Sequence, residues 1–598
     1  MIPTYARQKQ ICHCLRGGDT LYPLTMEKAW IVQTPDQRVV RTLTRRIGCH
    51  PVTATVLANR GFDGQSDVSA FLNPALGHIR SFDALQDMDK AVDRIVQAIA
   101  CEEKILVFGD YDVDGITATT ILYQFLQQAG ADVDCYIPHR TEEGYGLKTE
   151  HIETVAIAQH IDLIITTDCG AGSCEAVRAA NTAGIGVVVT DHHDIDELPE
   201  ADAVVNPKRS DCRAGLEHLA GVGVAFYLLI CLRKALRERG GWPDGGEPNL
   251  KAVCDLVALG TVADIVPLIR ENRVIVKTGL SVLNEAARPG IKALLEVCGL
   301  QKPHIDTDDL AFRLAPRLNA AGRMDHAMQA VRLLTTRDPA EAASIAEAVN
   351  ALNARRQTVE NQIMQRIKLF LENEPEMLEG KCLVLSHEQW HQGVLGIVAS
   401  RLVETYFRPV ILFTIENGVA IGSARSIPGI DLYDTLHACQ PYLETYGGHA
   451  MAAGLRVKCG NIDPFRRALD ARICQNYCET VFEPQLDIDC ELNFDMISEP
   501  LVDEIESLQP FGADNPEPLF FANDVQVLFS KIVGRCHRRM VVCQPGSKTN
   551  KRIVAMCFNI DPEQTQPKRF VQMAFRLRWN YYNGSKTIQL IVEETQTE

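Results

Sequence analysis

The chain is 598 residues long, more than one hydrophobic core sustains, so about three to five domains are expected. Its 46% hydrophobic and 23% charged residues are the balance of an ordinary globular protein, and its longest apolar run, Val222 to Leu232, is too short to cross a bilayer. The net charge of −17 argues against a nucleic-acid partner unless positive charge is concentrated in one segment.

Residues 1–25 hold Arg7, Lys9 and Arg16 with little hydrophobic pattern and read as a non-native leader, Met26 being the expected natural start. Residues 26–90 carry short apolar clusters and the turn F-D-G-Q-S, a helical preamble without evident chemistry. The twenty cysteines are scattered and form no C-x-x-C pair, which fits a reduced, cytoplasmic chain.

Over residues 91–338 apolar runs alternate with helical patterns. Strands are predicted at Ile105–Phe108, Val133–Ile137, Leu163–Thr167 and Val187–Thr190, with helices over Thr117–Gln128, His151–Gln159 and Cys174–Ala183. Such alternation gives a parallel sheet covered on both faces, and the loops at the carboxyl ends of its strands share one rim where ligands bind. That rim collects Asp110, Asp112 and Asp114 after the first run, Asp168 after the third, and Asp191, His192 and His193 after the fourth. Asp264 follows a further apolar segment, L-G-T-V-A.

Carboxylates this close repel, and their crowding is stable around a shared cation. The alternatives are a solvated acidic loop, or a helix N-cap for each strand-end Asp. Four segments converging on one rim favour the metal. Oxygen ligands with one or two imidazoles suit Mn²⁺, or Mg²⁺ with waters, better than zinc, and two such ions support hydrolysis of a phosphate ester. Cys169 reads as a small packing residue.

Between Pro339 and Pro375 neither proline nor glycine interrupts a helical pattern, so one connecting helix is expected to join two lobes. Two shorter helices broken near Asn353 to Arg356 are the alternative. A second, smaller α/β domain over 376–465 has strands near Cys382–Ser386 and Val410–Thr414. Over 466–598 the pattern turns to short strands, Val525–Leu528, Ile553–Phe558, Phe575–Trp579 and Thr587–Val592, which read as a small β-barrel. Between Lys531 and Lys586 twelve Lys or Arg stand against two acids, Asp561 and Glu563. Arg535, Arg538, Arg539, Arg576 and Arg578, among Phe575, Trp579, Tyr581 and Tyr582, are thus candidates to grip single-stranded DNA. Aromatics at strand spacing are more often core, so only one or two are expected to stack on bases.

G-D-Y-D-V-D-G, T-T-D-C-G, T-D-H-H and A-D-I-V-P, in this order and spacing, resemble the four motifs of the DHH phosphoesterase family. R-L-N-A-A-G-R, G-S-A-R-S and G-G-H-A-M-A-A-G resemble its DHH-associated domain and the approach to it, so the resemblance covers about residues 40–598. It implies a DHH catalytic domain over 91–338, a DHH-associated domain over 376–465 and an OB-like single-strand-binding domain over 466–598. It implies two divalent ions, Mn²⁺ or Mg²⁺, on Asp112, Asp114, Asp168, His192 and Asp264, with Asp110 a further candidate and Asp168 bridging. His193 would contact the scissile phosphate or assist proton transfer. Other branches of the family begin the first motif with a histidine where this chain has Phe108.

The same resemblance assigns the 5′ end of the strand to Arg140, Ser423 and Arg425, against a surface salt bridge as the alternative for Arg140. Gly447 and Gly448 would let the backbone approach a phosphate, with His449 beside it; a tight turn with a packed histidine is the alternative. Asn319 and Arg323 would reach into the cleft, or form an interlobe structural pair. The activity implied is a metal-dependent 5′ to 3′ exonuclease of single-stranded DNA, monomeric, acting in DNA repair and recombination with a helicase and a single-strand-binding protein as partners. Its rivals are a DHH hydrolase of short oligonucleotides and a non-catalytic replication scaffold.

Overall fold

The computed structural model describes residues 28–597 apart from 65–67, 82–83, 241, 243–245, 286, 301–303, 564–566 and 583–584. The expected leader and Met26 lie outside the described residues.

The first lobe is built on a parallel sheet of five strands in the order Val133–Tyr136, Ile105–Gly109, Leu163–Thr167, Gly186–Thr190 and Ala203–Val205. Ile105–Gly109 and Leu163–Thr167 are buried along their whole length, as central strands of a sheet covered on both faces must be. Ala203–Val205 is the added fifth strand, too short to show a period in the sequence. The chain steps from Ile105–Gly109 to one neighbour and then crosses to Leu163–Thr167 on the other side. That reversal opens a crevice beyond the carboxyl ends of these two strands, flanked by Asp110 to Asp114 and by Asp168.

Asp264 reaches the same crevice by a different route. It follows no strand but ends the helix Cys254–Ala263. Every residue from Cys254 to Val262 is buried, so the run lacks the polar face that would distinguish helix from strand. The helix predicted near His151 is also irregular, a short turn at Thr149–His151 running into a π-helical turn at Ile152–Ala156.

One unbroken helix of 35 residues, Pro339–Asn373, links the lobes and spans about 50 Å. Asp338 caps it by accepting from the Ala340 amide, with Pro339 at its first position. Ala342, Ala346 and Val349 belong to the core of the first lobe, and Ile363, Met364, Ile367 and Leu371 to that of the second. No break occurs near Arg356, whose guanidinium donates along the helix to Glu360 Oε2 at 2.5 Å and Asn353 Oδ1 at 2.6 Å. Glu360 also takes Arg401 of the second lobe at 2.5 Å, which ties that lobe to the helix.

The second lobe is a five-stranded mixed sheet in the order Thr445–His449, Ala452–Lys458, Val419–Arg425, Val410–Glu416 and Leu383–His387, only the last pair being parallel. The barrel closes because Phe520–Val533 pairs with both His537–Cys543 and Arg569–Tyr582, while Ile553–Cys557 and Ser585–Gln596 complete the ring. The preamble is an integral part of this domain. Ala29–Val32 pairs in parallel with Gln485–Ile488, and Leu43 and Leu57 of helices Gln37–Ile47 and Pro51–Asn59 are buried in one core with Phe494, Phe520 and Phe575. Each such leucine contributes about 1.5–3 kcal/mol, so the barrel depends on residues from the other end of the chain. No helix of the described residues is long and apolar enough to cross a membrane.

Candidate metal centre and anion pocket

Asp110 follows the strand Ile105–Gly109, and Asp112 then caps the helix Val113–Gln128, its Oδ1 accepting the amides of Asp114 at 2.9 Å and Gly115 at 3.1 Å. Capping occupies one carboxylate oxygen and leaves the other for a cation, so the N-cap and ligand readings of Asp112 are compatible. Asp114 is buried in the first turn of this helix and accepts the amides of Gly221 at 2.6 Å and Val222 at 2.8 Å. These amides open the helix Gly221–Glu238, whose partial positive charge stabilises the carboxylate. Gly221 has no substitute, because a Cβ there would lie 2.4 Å from Oδ1 of Asp168. Gly221 is 107 residues from Asp114, and nothing in L-A-G-V-G marks it as part of the site.

Asp168 sits at the end of Leu163–Thr167 with φ of 61°, a left-handed conformation uncommon outside glycine that persists where the surroundings dictate it. Its Oδ1 is 3.2 Å from Nε2 of His192, which also lies 3.8 Å from Asp114 Oδ2 and 3.6 Å from Asp264 Oδ2. Three carboxylates would favour an imidazolium. Burial of the ring and the adjacent His193 nevertheless depress the His192 pKa to about 3, against the charge of Asp191, leaving an uncharged nitrogen turned on three acids. That is a donor set for a cation.

Asp191 has a separate task. Its Oδ1 accepts from the amides of His192 at 2.7 Å and His193 at 3.1 Å and from His193 Nδ1 at 2.7 Å, while Oδ2 accepts from the Ala171 amide at 2.8 Å. Burial alone would raise its pKa, but these bonds, that of His193 foremost, bring it below the usual carboxylate value. His193 responds in the opposite sense. Burial lowers its pKa, the hydrogen bond and charge of Asp191 raise it further, and the result is about 9, an imidazolium at neutral pH. Asp191 therefore orients the His193 ring and ties down the backbone of His192, a role that its place beside them in V-T-D-H-H does not disclose.

The donor set fits divalent ions. Burial first, and then the charge of Asp112, push Asp110 up to about 8 and Asp114 up to about 7; burial and the charge of Asp114 hold Asp168 and Asp264 well above the usual range. Oδ1 of Asp110, Oδ1 of Asp168 and Nε2 of His192 are buried with no hydrogen-bond partner. Ligand atoms lie within 4.8 Å of one another in three groups: Asp110, Asp112 and Asp168; Asp114, His192 and Asp264; and Asp168, His192 and His193. Asp168 is common to two of them. Oxygen predominates over nitrogen, which suits Mn²⁺ or Mg²⁺. Cys169 stays a thiol, its pKa raised by burial, with Sγ 3.8 Å from the Phe108 carbonyl. Phe108 packs on Tyr136 and His151 and supplies no ligand.

A basic cluster faces the metal residues. The Arg140 guanidinium lies 4.5 Å above the Tyr111 ring. Arg425 donates to Ser423 Oγ at 3.1 Å and to the Ala424 carbonyl at 2.8 Å, and Arg323, on the helix Ala315–Met324, donates across the cleft to the Gly393 carbonyl at 3.0 Å. Burial, and then Arg140, Arg425 and Arg356, push Arg323 down to about 9; burial and Arg140 lower Arg425. Arginines that depress one another in this way form a pocket for an anion. Gly393 and its neighbours begin the helix Gln392–Tyr406, whose N-terminus adds to the positive field.

The second lobe meets the first at His449. Its ring is nearly parallel to that of His193 at 6.4 Å, and its Nδ1 is 3.3 Å from Asp194 Oδ2. Gly448, at φ of 141°, has no room for a side chain, since a Cβ would lie 2.3 Å from the Ala452 carbonyl, whereas a Cβ on Gly447 would meet nothing within 4 Å.

The expected grip residues are unequally placed. Arg535 is exposed and Arg539 half-buried, but Arg538 is buried. Arg578 donates to Glu517 Oε1 at 2.6 Å and Asp308 Oδ2 at 2.9 Å, and Arg576 lies 3.4 Å from Glu517 Oε2 and 3.3 Å from Glu593 Oε2. Their charge is therefore compensated by acids distant in sequence. Phe575 and Trp579 are core residues, Tyr581 is 46% exposed, and the Tyr582 side chain lies outside the described residues. Asn319 lines a cavity between the first lobe and the barrel.

Residues 104–261 match the DHH family N-terminal domain, residues 379–475 the DHHA1 domain and residues 488–594 the RecJ OB domain. The chain is 38% identical over 539 residues to the single-stranded-DNA-specific exonuclease RecJ of Dickeya dadantii, covering 87% of this chain and 92% of that one. The crystal structure of RecJ from Thermus thermophilus in complex with Mn²⁺ superposes with a TM-score of 0.80 at 29% identity, covering 95% of this chain and 80% of that one. The Mg²⁺ complex from the same organism gives 0.72 at 28% identity, covering 95% and 78%. With sheet, acidic crevice, second lobe and barrel all accounted for, the chain belongs to the RecJ family of single-stranded-DNA-specific exonucleases.

Proposed function

We propose that this protein is a metal-dependent exonuclease that removes nucleotides from the 5′ end of single-stranded DNA. The observation that carries the reading is the pairing, in one cleft, of an acidic cluster centred on Asp168 with an arginine cluster of Arg140, Arg323 and Arg425 beside Ser423. The first suits metal ions and the second a terminal phosphate, and their separation fixes which phosphodiester is cut.

Asp110, Asp112 and Asp168 would hold one ion, and Asp114, Asp168, His192 and Asp264 the other. Bound Mn²⁺ or Mg²⁺ supplies Lewis acidity, making water nucleophilic at neutral pH and neutralising charge on the phosphate. His193, protonated and oriented by Asp191, stands ready to contact the scissile phosphate and give a proton to the leaving oxygen. Arg140, Arg323, Arg425 and Ser423 hold the 5′ phosphate, and Gly447 and Gly448 admit the backbone of the strand beside His449. Arg535 and Arg539 are the grip residues with exposed charge. Every ligand position carries a competent side chain, which favours a nuclease over a scaffold. On this reading the enzyme is a cytoplasmic monomer in DNA repair and recombination, working with a helicase and a single-strand-binding protein.

The test is a 5′-phosphorylated single strand, labelled at its 3′ end, incubated with Mn²⁺. Stepwise shortening that a bulky 5′ adduct blocks is the expected result; shortening that a 3′ adduct blocks instead overturns the polarity.

A further inference from the structure

The helix Arg270–Glu285 opens with three polar side chains, Glu271, Asn272 and Arg273, that are all buried in the first lobe. Buried polar groups in succession need partners. Arg273 gives its guanidinium to the carbonyls of Phe71, Leu508, Gln509 and Pro510, which joins the lobe to the barrel domain. Glu271 and Asn272 serve a different part of the molecule, the backbone that surrounds the metal residues.

The side-chain amide of Asn272 has two hydrogens, and both are used. Nδ2 donates to the His218 carbonyl at 2.6 Å and to the Pro267 carbonyl at 2.9 Å. The two carbonyls belong to separate segments. His218 stands just before Leu219, which offers its backbone to the His192 ring as a hydrogen-bond partner, and before Gly221 and Val222, whose amides hold Asp114. Pro267 lies in the segment that leaves Asp264, where Ile265 and Arg270 are held at φ of 59° and 45°. Such left-handed residues persist only where their surroundings dictate it. Glu271 secures the first segment again: its Oε2 lies 2.9 Å from His218 Nε2 and its Oε1 3.3 Å from Nε of Arg80, which donates to the Gly215 carbonyl at 2.6 Å.

Asp114, His192 and Asp264 form one of the groups whose ligand atoms lie within 4.8 Å of one another. Each of the three is held by, or continues into, one of the two segments that Asn272 ties together. The group of Asp110, Asp112 and Asp168 is delivered instead by the ends of the strands Ile105–Gly109 and Leu163–Thr167 and by the cap of the helix Val113–Gln128. We infer, resting on the two-ion reading proposed above, that Asn272 is a positioning residue for one ion of the pair. Its amide sets the spacing between the segment that serves Asp114 and His192 and the segment that carries Asp264. Groups that orient ligands without touching the metal govern affinity by about 10- to 100-fold.

The experiment is a calorimetric titration of the full chain with Mn²⁺, comparing wild type with Asn272→Leu, which has a similar volume and no N–H. Wild type should bind two ions. In the variant one binding step should weaken about tenfold while the other keeps its wild-type affinity. The Mn²⁺ concentration for half-maximal cleavage should rise to match, with KM for a 5′-phosphorylated single strand unchanged. Where Asn272→Leu does not fold, Asn272→Ser, which keeps one donor and leaves room for a water, carries the same test. A folded variant in which both steps weaken alike, or neither does, overturns the positioning role alone. A wild type that binds no Mn²⁺, or a single ion, overturns the two-ion reading on which it rests.

Discussion

Nδ1 of His193 lies 2.7 Å from Oδ1 of Asp191, and this contact determines both the orientation of the ring and its charge. The carboxylate is anchored by the amides of Ala171 and His192, so the imidazole cannot turn away without breaking a buried network. Its charge keeps His193 protonated up to about pH 9. On the reading proposed above, His193 as the acid would support turnover below that value and lose its proton as pH rises through it.

Replacing Asp191 by Asn keeps the shape and removes the charge. The alkaline limb of kcat is expected to move down from about 9 toward the ordinary histidine value of about 6.5. At pH 8 the loss should be about 30-fold, the fall in the protonated fraction when the pKa moves from about 9 to about 6.5. The pH profile at saturating Mn²⁺ and substrate checks this, and an unmoved alkaline limb would remove Asp191 from the account.

The crowded acids set how stability varies with pH. Without metal, Asp114 and Asp110 are raised to about 7 and about 8 by burial and by Asp112, while unfolded carboxylates ionise near about 4. The folded state therefore holds protons that the unfolded state has released. Its stability is greatest below about pH 4 as far as these groups are concerned, and falls as pH rises toward about 8. In EDTA the melting temperature should decline across that window. Mn²⁺ displaces the protons, so added metal should raise the melting temperature most at the alkaline end, and calorimetry in buffers of different ionisation enthalpy should detect proton release.

Gly221→Ala places a methyl group 2.4 Å from Asp168 Oδ1. The helix Gly221–Glu238 or the carboxylate must shift, at a cost of about 1–3 kcal/mol. Mn²⁺ affinity and activity should fall together, measured by titration calorimetry and strand cleavage. Wild-type metal affinity in this variant would mean that Asp168 is not confined by the helix.

Arg425→Ala removes one fork from the anion pocket. Loss of a charge-assisted hydrogen bond is worth about 1.5–3 kcal/mol, so the preference for a 5′-phosphorylated over a 5′-hydroxyl strand should drop by roughly 10- to 100-fold. Rates on the two substrates, compared in wild type and variant, give that ratio directly.

The acidic crevice was legible because a parallel sheet delivers its loops to one rim, so Asp110, Asp112, Asp114, Asp168 and His192 announce themselves as polar residues ending apolar runs. Asp264 was legible only as a residue after an apolar segment of unassigned type, since a helix buried on all sides carries no period. Contacts across long separations left no trace. The amides of Gly221 and Val222 on Asp114 are backbone groups, which any residue supplies. The pairing of Ala29–Val32 with Gln485–Ile488 joins two segments too short to read as strands. The charge excess of the tail overstated its free arginines, because Glu517 and Asp308, which compensate Arg578, lie outside the segment counted.

The central claim is that the cluster around Asp168 performs the hydrolysis. Asparagine is isosteric and tolerates the left-handed backbone at this position, so Asp168→Asn should fold as wild type. With Mn²⁺ and a 5′-phosphorylated single strand, the account predicts a variant that binds the strand and releases no nucleotides above background. Release at the wild-type rate would contradict it.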